Sequence, residues 1–331
     1  MKLINEFVDA WKTFEASKAQ NGWQVIPVSS FSNCGLMAGM AFPGPREAAI
    51  FNFEVTTLPR AELLPSGKGF SVEHVEVEGK KWIALAKSED GSPDLYVAML
   101  ENLFSLLEVM GATKGDVLLH SFLDRVSAWQ DFMKKGRQSL TIESQTGLFG
   151  ELSFLKDLLD LGLKEEAIKT WDGPLDGLQD FHIGFGAIEV KSTVSQDGFI
   201  AKIGSLDQLS DSTYKPLYLV GKKLGISPAG ISLPMIIDEI RTELGGDLSL
   251  LSNFESRLLR SGYLDMHSGA YDRLLVIEKS LMYEVDQDFP RLTPQLLNPL
   301  IKSARYEIDI SSLPAKALDL KEILNKVGVS I

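Results

Sequence analysis

The sequence has very little cysteine and histidine. Cys34 is the single cysteine among 331 residues, which excludes a disulfide within the chain and a cysteine-based zinc site. The four histidines are scattered and lack the spacing typical of metal ligands; they are His74, His120, His182 and His267. The sequence therefore offers no cysteine or histidine metal centre.

Long hydrophobic runs and a basic excess are also missing. No continuous apolar stretch approaches the roughly 20 residues that a bilayer span needs. The N-terminal residues predict an amphipathic helix that contains acids, unlike a secretory signal, so we expect a cytoplasmic chain with no membrane partner. The formal net charge is −12, the reverse of what a strong non-specific nucleic-acid binder carries.

A dense polar pattern is present in residues 178–193. Asp180 lies on one predicted strand, with Glu189 and Lys191 on the next, across a glycine-containing turn. Because side chains alternate along a strand, Glu189 and Lys191 share a face. Two carboxylates and a lysine suit a Mg²⁺-dependent phosphodiesterase, in which oxygen ligands hold the ion and the ammonium steadies charge near the attacking water. The alternative is an exposed acid–base pair, since acid-x-Lys triplets are common.

The length of the turn decides whether the two acids share a face. A three-residue loop without a bulge would place Asp180 and Glu189 on opposite faces of the sheet. A two- or four-residue loop, or a bulge, would bring Asp180 to the face of Lys191. Gly184 and Gly186 make such turns easy, because glycine adopts positive φ without strain.

Residues 147–163 have helical periodicity and form a wide apolar arc. Glu151 projects from the middle of this arc, where an ionised carboxylate is costly unless it is paired or bound to a metal. The alternative is an acid at a helix start, favoured by the helix dipole and kept hydrated by fraying. We favour a functional role, because the strand acids follow soon after.

Four short segments occur in a characteristic order along the chain. They read Gly-Leu-Phe-Gly-Glu, Trp-Asp-Gly-Pro, Asp-Phe and Glu-Val-Lys-Ser-Thr, at residues 147–151, 171–174, 180–181 and 189–193. With Gln208 before an apolar strand, this order resembles the PD-(D/E)xK nuclease superfamily, and more narrowly a bacterial family of PD-(D/E)xK proteins. One position departs from the superfamily pattern: Gln179, not proline, precedes Asp180.

The resemblance implies a restriction-endonuclease-like αβββαβ core and a metal-dependent nuclease, often encoded beside restriction or phage-defence genes. It implies that Asp180 and Glu189 bind Mg²⁺, helped by the main-chain carbonyl of Val190, and that Mn²⁺ can substitute. Lys191 would orient or activate the water, or stabilise developing charge.

The resemblance also gives supporting roles to Glu151, from its helix, and to Gln208, which would position a water or phosphate from a second helix. The expected partner is nucleic acid, DNA in the first place, with other defence-system proteins as further partners. The competing interpretation is a catalytically silent nuclease-fold subunit that docks proteins or DNA. The acidic composition favours that interpretation, whereas the intact set of Asp180, Glu189 and Lys191 favours the enzyme.

Element patterns predict an α/β chain whose core is flanked by two further regions. Strand patterns dominate the first ninety or so residues, followed by two helices, and helix and strand patterns alternate after the core. The predicted division is a β-rich N-terminal domain, a helical connector, the PD-(D/E)xK core and an α+β C-terminal region, at residues 1–112, 113–138, 139–228 and 229–331.

Overall fold

The computed structural model describes residues 2–15, 21–111, 113–136, 138–314 and 318–330. It divides the chain into two compact units, Met1–Arg137 and Gln138–Ile331. Helices and several sheets are mixed in the chain, which is consistent with an α/β fold of the PD-(D/E)xK kind. Within the described ranges, every helix is too short or too polar to cross a bilayer.

The first unit is built on a five-stranded antiparallel sheet. Its elements are α1 (Lys2–Glu15), β1 (Gly22–Pro27), β2 (Cys34–Phe42), β3 (Arg46–Phe53), β4 (Phe70–Val77), β5 (Lys80–Lys87), α2 (Pro93–Val109) and α3 (Gly115–Lys135). The strand order is β1-β2-β3-β5-β4. Central strands β3 and β5 are nearly continuous buried runs, as expected for strands covered on both faces. Helix α3, which the sequence suggested as a connector, packs against α2 and β3 inside this unit.

The second unit contains a four-stranded sheet and a separate two-stranded one. Its elements are α4 (Ile142–Asp160), α5 (Lys164–Thr170), β6 (Phe181–Ile183), β7 (Gly186–Thr193), β8 (Ile200–Ile203), β9 (Leu217–Ile231), α6 (Leu233–Leu244), α7 (Leu248–Arg260), β10 (Leu275–Glu284), β11 (Tyr306–Asp309) and α8 (Leu320–Lys326). The larger sheet has the order β10-β9-β7-β6, and β8 pairs with β11. Strands β7 and β9 run parallel, whereas the other neighbours are antiparallel.

The two faces of the four-stranded sheet are covered by different partners. Ile188 and Val190 of β7 belong to a core formed with α4, α6, α7 and α8. Ala187 belongs to a second core, formed with residues of β8 and β11. Because side chains alternate along a strand, Glu189 and Lys191 lie on the Ala187 face.

The prediction of a second helix, between β8 and β9, is wrong. Residues 204–216 form turns and bends, so the order through this region is α4, α5, β6, β7, β8, β9. The segment is rich in Ser and Asp, whose side chains bond nearby backbone groups and compete with helix formation. A backbone turn within the segment is closed by the Ser210 N–H, which donates to the carbonyl of Asp207 at 3.0 Å.

The close approach of α4 to β7 depends on Gly150. A Cβ there would lie 1.6 Å from Oγ and 2.8 Å from Cβ of Ser192, whereas a Cβ at Gly147 would meet nothing within 4 Å. We expect Gly150→Ala to lower the free energy of unfolding by about 1–3 kcal/mol through overpacking. Gly147→Ala should instead raise it by up to about 1 kcal/mol through helix propensity. Urea denaturation checks both, and equal effects at the two glycines would contradict this packing.

Candidate functional site

The hairpin of β6 and β7 places Asp180 beside Glu189. Ile183 pairs with Gly186, which leaves a two-residue loop, one of the lengths that put both acids on one face. Gly184, the first loop residue, has a φ of 59°, a conformation that glycine adopts without strain. Continuing this register by one residue brings Asp180 level with Glu189.

Main-chain groups hold Asp180 in place. Its Oδ2 accepts the N–H of Val190 at 2.7 Å. Its carbonyl accepts the N–H groups of Asp172, at 2.8 Å, and Gly173, at 3.0 Å. Because the N–H and C=O of one strand residue point to the same edge, the carbonyl of Val190 also leaves β7 on the side of Asp180.

Glu189 and Lys191 form a buried ion pair. The Lys191 Nζ lies 2.5 Å from the Glu189 Oε1, and the two side chains are 18% and 1% exposed respectively. Because the Glu189 carboxylate has so little access to water, the Lys191 ammonium is the cation that offsets its charge in the metal-free chain.

Glu151 finds its partner in an aromatic side chain. Its Oε2 accepts the indole N–H of Trp171 at 2.8 Å, which resolves the problem of a carboxylate placed in an apolar arc. A Cβ at Gly173 would lie 3.0 Å from this Oε2 and 2.9 Å from Oδ1 of Asp180. The two carboxylates therefore flank the same glycine.

Burial and neighbouring charges shift the pKa of all four ionisable groups. Burial, and then the charge of Asp180, raise the pKa of Glu189 to about 8 in spite of Lys191. The same two causes raise the pKa of Glu151 well above its ordinary value. Burial raises the pKa of Asp180, against the opposing effects of Lys191 and the Val190 N–H. Burial alone would lower the pKa of Lys191, but Glu189, Asp180 and Glu151 together raise it.

Most of the predicted site residues line one cavity of about 630 Å³. They are Glu151, Asp180, Val190, Lys191 and Gln208, beside the hydroxyl residues Thr146, Ser192, Thr193 and Ser195. Glu189 is 1% exposed and does not line it. Gln208 reaches the cavity from the turn at residues 204–216 and not from a helix, and its Oε1 accepts the N–H of Gly204 at 2.7 Å.

The donors at the site suit a hard divalent cation. Within the described residues, no three Asp, Glu, His or Cys side chains converge to hold a metal by themselves. Mg²⁺, however, usually binds through one or two carboxylates and keeps several waters. Trp171 occupies one oxygen of Glu151 and Val190 one oxygen of Asp180, which leaves the second oxygen of each for an ion. The residues present therefore fit a hydrated Mg²⁺ or Mn²⁺.

Sequence reasoning missed a polar network beside the site. The His182 Nδ1 lies 2.8 Å from Oδ2 of Asp172, and its Nε2 lies 3.3 Å from Oε1 of Gln179. The imidazole also stacks on Tyr214, with ring centroids 4.1 Å apart. The Gln179 amide donates to the carbonyl of Gln208 at 3.3 Å, which ties β6 to the turn at residues 204–216. The available signal was Gln179 at the position of the proline in the superfamily pattern, because a proline side chain has no amide group to donate.

A comparison with protein families identifies the chain. The sequence model of a family described as "Putative PD-(D/E)XK family member (DUF4420)" matches residues 7–311. No curated protein and no solved structure matches the chain. The family match spans all the residues of the candidate site. The chain therefore belongs to this PD-(D/E)XK family, whose fold is nuclease-like.

Proposed function

We propose that the chain is a metal-dependent nuclease that hydrolyses phosphodiester bonds, with DNA as its substrate. The observation that carries the proposal is the convergence of Glu151, Asp180 and Lys191 on one cavity, with Glu189 2.5 Å from Lys191. Structural ion pairs are seldom built from three acids around one lysine, since the repulsion and desolvation are costly. Such an arrangement is typical of a site that receives a further cation.

Asp180 and Glu189, with the Val190 carbonyl and support from Glu151, would hold Mg²⁺ or Mn²⁺. When bound, the ion would polarise the phosphoryl group and lower the pKa of a water. Glu189, Asp180 and Glu151 raise the pKa of Lys191 in the metal-free chain, so its side chain is an ammonium there at neutral pH. In the reaction Lys191 would orient or activate the water, or stabilise developing charge.

Gln208 supplies a hydrogen-bond donor in the lining of the same cavity. Its Oε1 is engaged by the Gly204 N–H, so its amide N–H groups can donate to a phosphate oxygen or to the attacking water. Because Gln208 sits on a turn held by Gln179, its role is to position and not to react. Its removal should therefore slow the reaction without abolishing it.

We place the nuclease core at residues 139–228, the segment that contains the residues of the candidate site. The setting in restriction or phage defence, and defence-system proteins as partners, rest on the family resemblance. The net charge of −12 supports a role for such partners, because an acidic chain gains little from counterion release on DNA.

Cleavage by the wild-type chain tests the proposal directly. Supercoiled plasmid, linear duplex and single-stranded DNA are incubated with Mg²⁺, with Mn²⁺ and with EDTA. We expect cleavage only with a divalent ion, with Mn²⁺ equal to or better than Mg²⁺ because it tolerates imperfect oxygen coordination. Affinity for DNA should be weak, and activity should fall as salt rises because the remaining phosphate contacts are screened. Cleavage that persists unchanged in EDTA would contradict a metal-dependent mechanism.

The silent-subunit interpretation is the second candidate. The observation that favours it is the Glu189–Lys191 pair, which neutralises part of the acidic charge without a metal. Isothermal titration of the metal-free chain with Mn²⁺ separates the two candidates. Heat of binding that disappears in Asp180→Asn supports the nuclease, whereas no binding by the wild type supports the silent subunit.

A further inference from the structure

The segment at residues 171–174 contacts both acids that line the cavity. Its Trp171 indole N–H donates to the carboxylate of Glu151, and the N–H groups of Asp172 and Gly173 donate to the main-chain carbonyl of Asp180. One short segment thus holds an acid of α4 and the acid that directly precedes β6.

We propose that this segment sets the spacing of the two carboxylates for cation binding, with Trp171 and Gly173 as positioning residues. The inference rests on the proposed function and adds two residues to it. Trp171 is fully buried, and its ring lies 6.0 Å from that of Phe254, so packing fixes the direction of its N–H. With Oε2 of Glu151 engaged in this way, the carboxylate cannot rotate freely.

Gly173 acts through the space that it leaves. It is absent from the residues with positive φ, so its backbone conformation does not require glycine. A Cβ there would instead lie 2.9 Å from Oδ1 of Asp180 and 3.0 Å from Oε2 of Glu151. A methyl group at this position would push the two carboxylates apart and replace a polar gap with an apolar contact.

The consequence for cation binding follows from how ligands are oriented. A carboxylate ligand binds a cation well only when its lone pairs point at the ion, and neighbouring hydrogen bonds enforce that orientation. Loss of such supporting contacts typically weakens metal affinity by about 10–100-fold. Both positioning residues should therefore affect affinity without contacting the ion.

Isothermal titration of the full-length, metal-free chain with Mn²⁺ tests the inference. Trp171→Phe keeps the packed ring but removes the N–H, and we expect about tenfold weaker binding. Gly173→Ala should weaken binding by about tenfold or more. Gly246→Ala is the matched control, because a Cβ there meets nothing within 4 Å; it should bind as the wild type does.

A double-mutant cycle with Glu151→Gln distinguishes positioning from general destabilisation. If Trp171 acts through the Glu151 carboxylate, Trp171→Phe should add no further loss of Mn²⁺ affinity in the Glu151→Gln background. Equal losses in both backgrounds would overturn the inference, as would wild-type affinity in both Trp171→Phe and Gly173→Ala. Melting curves confirm that each variant is folded, and Gly173→Ala decides the question if Trp171→Phe does not fold. A wild type that binds no Mn²⁺ would overturn the proposed function as well, whereas binding that ignores these variants overturns the inference alone.

Discussion

Replacing Asp180 or Lys191 with alanine should reduce metal-dependent cleavage by about 10³-fold or more, the scale expected when a group that stabilises transition-state charge is lost. Asp180→Ala removes a proposed metal ligand, and Lys191→Ala removes a cation that acts on Glu151, Asp180 and Glu189 together. Gln208→Ala should cost only about tenfold, as for a group that positions a water. Single-turnover rates on plasmid DNA with saturating Mn²⁺ measure all three.

Two design features make the result interpretable. Asp180→Asn retains an oxygen that can accept the Val190 N–H, so it separates loss of charge from loss of the hairpin contact. The exposed residues Asp272 and Lys321 supply matched controls, Asp272→Ala and Lys321→Ala, which should cleave at the wild-type rate. Circular dichroism checks the fold of each variant. If cleavage by the Asp180→Ala and Lys191→Ala proteins survived at the wild-type rate, the activity would have to come from elsewhere.

Lys191→Ala should also destabilise the metal-free protein by about 3–5 kcal/mol above about pH 8, where Glu189 is ionised, the usual cost of leaving a buried charge without its partner. The Glu189 carboxylate is 1% exposed and has Lys191 at 2.5 Å, so its ionised form has little access to water. Adding Glu189→Gln to Lys191→Ala should recover part of the loss, because the two residues share one network. Lys321→Ala, at an exposed lysine, should leave stability unchanged within about 0.5 kcal/mol.

The loss should depend on pH in a defined direction. Glu189 has a raised pKa of about 8 in the folded protein, against an ordinary value of 4.5. An acid with a raised pKa binds its proton more tightly in the folded than in the unfolded protein. Glu189 therefore lowers the free energy of unfolding as pH rises from about 4.5 to about 8, and this loss is complete above about 8. The favourable contribution of Lys191, whose pKa is raised, is present below its ordinary value and is lost only when pH rises through the higher folded value.

Lys191→Ala removes that favourable contribution and leaves the unfavourable one. The favourable contribution of Lys191 comes from the ionised acids around it, and these acids are protonated near pH 4. The difference from the wild type should therefore be small near pH 4 and largest above about pH 8, where Glu189 is ionised. Melting curves in EDTA across this range measure it. Strictly additive effects of Lys191→Ala and Glu189→Gln would mean that the two groups are not electrostatic neighbours.

Local patterns accounted for many elements of both units. The helical period around Glu151 predicted α4, and strand alternation put Glu189 and Lys191 on one face of β7. The predicted strands at both ends of the chain are present as β1 to β5, β10 and β11. These properties depend on backbone geometry over a few residues, which the sequence carries directly.

The wrong prediction of a helix around Gln208 also has a local cause. A helix was expected there from the resemblance, but the Ser- and Asp-rich stretch favours turns in which side chains bond the backbone. The consequence for the site is modest, because Gln179 holds the turn so that Gln208 still lines the cavity. Gln208 thus lines the cavity from a turn and not from the expected helix.

By itself, the sequence determined which chemistry is open to this chain: it excluded cysteine and histidine metal centres, placed an acid and a lysine on one strand face, and set a lone acid in an apolar helix surface. Tertiary structure alone decided how these parts meet. It chose the two-residue loop that brings Asp180 level with Glu189, and it supplied Trp171 as the partner of Glu151. The physical reason is range: periodicity acts over neighbouring residues, whereas the contact of an indole with a carboxylate twenty positions away exists only once helix and sheet have packed.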